Sequence, residues 1–88
     1  MNSEIIAAIL SYCEGAKREG VEYISLAFSP AGSAALFACR AWHRRHAECI
    51  AGFAAEMLAR AGIDCVVTLG PCGGLWEAEV LPIPKEAA

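Results

Sequence analysis

The sequence predicts an α+β domain in the order α-β-α-β-β, two helices packed on one face of a small three-stranded sheet. Three observations carry this. Apolar residues recur at three-and-four spacing over residues 3–18 and again through the middle of the chain, the mark of one-sided helices. Apolar and polar residues alternate over 21–28, 63–69 and 75–81, as strands with one buried face do. Gly70-Pro71-Cys72-Gly73-Gly74 separates the last two runs and has turn composition, so those strands form a hairpin.

In the first helix, Ile5, Ile6, Ile9, Leu10, Cys13 and Ala16 share the inner face, and Gly20 ends the element. The first strand turns Ile24, Leu26 and Phe28 inward and Tyr23, Ser25 and Ala27 outward. The central element reads as one long helix from Ser29 to Gly62. Ser29 is a natural N-cap, Pro30 suits the first helical position, and Gly62 suits the residue past the end. At about 100° per residue, Leu36, Cys39, Trp42, His43, His46, Cys49, Ile50, Phe53, Ala54, Met57 and Ala61 fall on one arc. Such a helix is about 45 Å long, against a domain about 30 Å across, so it must bend, fray at its start or overhang. In the hairpin, Ile63, Cys65, Val67 and Leu69 point inward, as do Trp76, Ala78 and Val80. The domain spans residues 1–81, and residues 82–88, PIPKEAA, form an extended or disordered tail.

Composition narrows the function. A net charge of −3 supplies no field toward nucleic acid or anionic lipid, and no uncharged run is long and helical enough to cross a membrane. The five cysteines form no C-x-x-C pair, which suits reduced thiols in the cytoplasm rather than a disulfide framework. The chain opens with Met and carries no targeting segment, so it reads as a complete small cytoplasmic gene product.

Three clusters bear chemistry. Cys39, His43 and His46, with Cys49 a turn further, offer the ligand types zinc prefers, but structural zinc sites draw on more than one element. The bland reading is that the cysteines are small apolar packers and the histidines cover one end of the core, bonded to backbone or water. Arg40, Arg44 and Arg45 with the two histidines form a basic segment; a few phosphate contacts on an acidic chain give only weak, salt-sensitive binding. Neither catalytic residues in a nucleophile-base-orienter order nor a phosphate-binding loop is legible.

What this leaves is a non-enzymatic, cofactor-free module that binds a protein partner stoichiometrically. Such a module would be an inhibitor or adaptor, a class that includes phage and mobile-element anti-defence proteins such as anti-CRISPRs. The expected surface is the outer sheet face with Tyr23, Thr68, Glu77 and Glu79, together with Arg40, Arg44 and Arg45; arginine and tyrosine make the better anchors. Homodimerisation through the helix overhang or the open sheet is expected beside it. The alternatives are a zinc-binding protein using Cys39, His43 and His46, or a weak nucleic-acid binder using residues 40–46.

Overall fold

A computed structural model of the chain describes residues 1–84. The element order is α1 (Ser3–Arg18), β1 (Ser25–Phe28), β2 (Phe37–Ala41), α2 (Arg44–Arg60), β3 (Cys65–Cys72) and β4 (Leu75–Pro82). The fold is α+β, as expected, but the sheet has four strands, in the order β1-β2-β4-β3 with every neighbour antiparallel.

The extra strand comes out of the expected long helix. Residues 29–36 form a hairpin loop, Phe37–Ala41 is β2, and helix begins only at Arg44. The physical reason lies at both candidate helix starts. Ser29-Pro30 imitates a capped first turn, yet Ser29 sits at φ 48° and its amide donates to the Leu36 carbonyl, closing the β1–β2 hairpin. Gly32, at φ 75°, supplies the left-handed position of the turn in which the Ser33 amide donates to the Pro30 carbonyl. The true start is chemically plain. His43 takes the N-cap position without a side-chain cap, and the first turn has no acidic residue and opens on Arg44 and Arg45 at the positive end of the dipole. At 17 residues, α2 fits the domain and leaves no overhang.

The register of β2 explains why a strand forms there. Phe37, Cys39 and Ala41 alternate as fully buried positions, while Ala38 and Arg40 take the other face. Phe37 lies off the expected helical arc and is fully buried, whereas Trp42, on that arc, is 56% exposed. The buried stripe of α2 is also turned about one residue from the expected one: Ala47, Ile50, Ala51, Ala54 and Leu58 face the sheet. Cys49 is exposed, and Phe53 reaches sideways to stack on Tyr12 of α1 at 4.2 Å between ring centroids. The alanines let α2 lie close across β2, β4 and β3, while α1 packs against α2.

α1 spans the expected residues, but its buried stripe is narrower than expected: Leu10 is exposed and Ile6 only half-buried. Ile5, Ile9, Cys13 and Ala16 are buried, and the Asn2 side chain caps the start by accepting from the Glu4 amide at 2.7 Å. At its far end Gly20, at φ 92°, releases the chain into β1. The β3–β4 hairpin turns through Gly73 and Gly74, both at positive φ as a two-residue turn of this hand requires. Strand β4 continues to Pro82, and the Ile83 amide donates to the Asp64 carbonyl at 2.8 Å, so pairing reaches past the expected boundary at 81. Residues 85–88 of the expected tail lie outside the described residues.

Candidate functional site

Both helices occupy one face of the sheet. On the opposite face the register places Ser25 and Ala27 of β1, Ala38 and Arg40 of β2, Glu77, Glu79 and Leu81 of β4, and Val66 and Thr68 of β3. Arg40 and Glu77 are direct cross-strand partners, joined by a 2.8 Å contact between Nε and Oε2. That hydrogen bond raises the Arg40 pKa, holding the guanidinium more firmly charged. Glu79 stands opposite Thr68 on one side and Ala38 on the other.

This face is partly roofed by the chain itself. The β1–β2 loop folds back over it, and Ser33 Oγ donates to Glu79 Oε2 at 3.3 Å. Pro30 and Ser33 from the loop, with Ser25, Ala27, Arg40 and Glu77 beneath, enclose a hollow of about 290 Å³. That is the floor of the range for small-molecule sites, and no polar side-chain atom in it is buried without a partner.

Of the residues named from the sequence, the structure gathers Arg40, Thr68, Glu77 and Glu79 on this face. Tyr23 is elsewhere. A bend at Ile24 breaks the alternation, so Tyr23 packs against the core under the Lys17 ammonium, 4.2 Å from its ring centroid, while Ile24 is left exposed. Arg44 lies in the first turn of α2, paired with Glu48 at 3.1 Å and stacked over the Trp76 ring. Arg45 borders a shallow hollow with His43 and His46. The basic segment is thus split over separate surfaces, and two of its three arginines are already paired with glutamates.

The thiol-imidazole cluster does not converge. Cys39 is buried beneath α2, its thiol donating to the Ala47 carbonyl at 3.6 Å. His43 occupies the N-cap position of α2 with no side-chain cap bond, and His46 Nδ1 accepts from the Glu22 amide at 3.2 Å, tying the α1–β1 connection to α2. Cys49 is exposed on the outer side of that helix. Among the described residues, no three His, Cys, Asp or Glu side chains are placed to share a metal.

Burial sets the chemistry of the thiols. It pushes Cys39 up to about 12, helped by the nearby Cys13 and opposed by backbone hydrogen bonds. It raises Cys13 as well. Because the thiolate is the reactive form, alkylation of the folded protein at pH 8 is expected to mark exposed Cys49 and spare Cys13 and Cys39. Mass spectrometry with and without denaturant checks this; labelling of Cys39 at the rate of Cys49 in the folded protein would contradict it.

Several residues of the open face escaped the sequence reading. Ala38 was hidden inside the expected helix, and Ser33 belongs to a loop read as its first turn. The cluster of Ser, Pro and Gly at 29–33 was the available signal, since it reads equally as a hairpin loop. Leu81 ends a strand whose alternation left its side unassigned, whereas Val66 is expected on this face from the alternation with Asp64 and Thr68.

Comparison with known proteins finds no matching family model, no similar curated protein and no matching solved structure. No helix among the described residues is long and apolar enough to cross a membrane.

Proposed function

We propose that this chain is a stoichiometric protein-binding module that receives its partner on the helix-free face of the sheet, beside the β1–β2 loop. The observation that carries this reading is the helix-free face itself. It presents a charged pair, Arg40 and Glu77, and a further carboxylate, Glu79, among small or apolar neighbours, Ala27, Ala38, Val66 and Leu81. Mixed surfaces of this kind suit protein recognition, where an arginine framed by apolar contacts anchors and the charges set register. The shallow hollow and the scattering of the thiols and imidazoles favour this over small-molecule chemistry. Inhibitor and adaptor are two outcomes of one occupancy step; an anti-defence protein of a phage or mobile element, an anti-CRISPR for example, is the inhibitor case.

Arg40→Glu alone sets like charges opposite each other, so it is paired with a swap, Arg40→Glu with Glu77→Arg, that keeps the ion pair and inverts its direction. Both variants are expected to fold, by circular dichroism, and to lose partner affinity by roughly 30-fold, the scale of an interface hot spot. Arg60→Glu, on the far helix, is expected to leave binding intact. The measurement is quantitative co-purification from the cells that make the protein, followed by titration with the purified partner. Unchanged capture by the swapped variant would remove this face from the proposal.

A further inference from the structure

The two edges of the sheet differ. β1 is four residues long and is ended by the bend at Ile24 and the left-handed Ser29. β3 is eight residues long, and no side chain from Cys65 to Cys72 is charged. Folded proteins blunt free edges with lysines, bulges or short strands, because an open ladder recruits another strand. Through Leu69, β3 has none of these.

The phase of the ladder shows which groups are free. In an antiparallel pair, alternate residues turn their amides and carbonyls toward the partner. The Ile83 amide donates to Asp64, so the even-numbered residues of β3 face β4. The two prolines fit this phase: Pro82 lies opposite Cys65 and Pro71 opposite Trp76, in pairs where no amide is needed. The amides and carbonyls of Cys65, Val67 and Leu69 therefore point away from the sheet. The positions flanking this set lack a free donor. Pro71 has no N–H, and the Ile63 amide is already held by the Leu58 carbonyl at 2.9 Å.

This donor pattern is symmetric about Val67, and we propose that the β3 edge pairs antiparallel with the β3 edge of a second copy, on a two-fold axis at Val67. In that register Val67 faces its own equivalent, Cys65 faces Leu69, and every free amide meets a free carbonyl. Ile63 faces Pro71, so the two positions without a donor lie opposite each other. On the open side, exposed Val66 meets Thr68, and the acidic Asp64 meets Gly70 rather than another carboxylate. A second copy satisfies all these conditions at once because the pattern is its own mirror along the strand. The arrangement joins both sheets into one and is distinct from the dimers expected through a helix overhang or face to face.

Sedimentation velocity on the untagged chain, from low to high micromolar concentration, is the test. The expected result is a species of twice the 9.3 kDa chain mass. Val66→Lys with Thr68→Lys places lysines opposite lysines only across the proposed axis, so association is expected to weaken at least tenfold with an unchanged melting temperature. Amide hydrogen exchange reads the same edge without any substitution: Cys65, Val67 and Leu69 are expected to be protected in the dimer and to exchange fast on dilution. A monomer at every concentration overturns the proposal, as does a dimer indifferent to the lysines. So does a dimer whose Cys65, Val67 and Leu69 amides exchange freely.

Discussion

Replacing Phe37 by alanine is expected to lower the melting temperature by roughly 15–30 °C, close to abolishing the fold at physiological temperature. Phe37 is fully buried in β2, tilted against Phe28 with ring centroids 5.2 Å apart, and it belongs to the core shared by both helices and the sheet. Removing a buried phenyl ring costs about 3–5 kcal/mol. A domain of this size holds on the order of 5–10 kcal/mol in total, and each kcal/mol shifts its midpoint by roughly 4–8 °C. Trp42→Ala is the matched control. The indole is more than half exposed, so its loss is expected to change stability by within about 0.5 kcal/mol. The pair decides between two arrangements of residues 33–43, because a continuous helix would bury Trp42 and leave Phe37 off the core. A larger effect at Trp42 than at Phe37, by thermal circular dichroism, would reinstate the helix.

The second large effect is alkaline. In the fold, burial moves the Cys39 thiol from its ordinary value of 9.0 up to about 12, so the native state keeps its proton where the unfolded chain has lost it. Above pH 9 the unfolded state therefore binds fewer protons than the native one, and stability falls as pH rises. The contribution is whole below pH 9 and is lost across about pH 9 to 12. At 1.36 kcal/mol per unit, it amounts to up to about 4 kcal/mol. Cys13, Tyr12 and Cys65 are raised by burial too and act in the same direction. Urea midpoints taken stepwise from pH 8 to 12 are expected to decline steeply in the natural protein. Cys39→Ala should be less stable at pH 8, because of the cavity it leaves, but decline with a shallower slope. Parallel slopes would show that another group governs the alkaline limb.

How much of this could be read beforehand depended on how strongly each segment declared its period. α1 has isoleucines at helical spacing and a glycine at its end, and it forms over the expected residues, with Leu10 turned outward. The glycine turn and flanking alternation declared the β3–β4 hairpin. Residues 33–43 declared nothing strongly. Four of them are alanine, which fits either period, and Phe37, Cys39 and Ala41 make an alternation only three members long. A good cap signature at Ser29-Pro30 and a poor one at His43 then pulled the helix start fourteen residues early. The open face was legible in Thr68, Glu77 and Glu79 because strand alternation alone assigns their side. Arg40 reaches that face through a strand the periodicity had missed, and Tyr23 leaves it because one bend at Ile24 reverses the alternation. Neither event is written in local propensity; both depend on which strand lies alongside.

The position of β4 has a consequence for how the molecule comes together. It is the last strand in the chain, yet it lies inside the sheet between β2 and β3, which are parallel to each other and do not touch. Until β4 arrives, the earlier hairpin and β3 have no common neighbour, and α2 has a split surface to settle on. Assembly is therefore a zipping-up from the rear: the keystone is delivered late, and any species lacking it carries two raw seams, on β2 and β3, beyond the edges of the finished sheet.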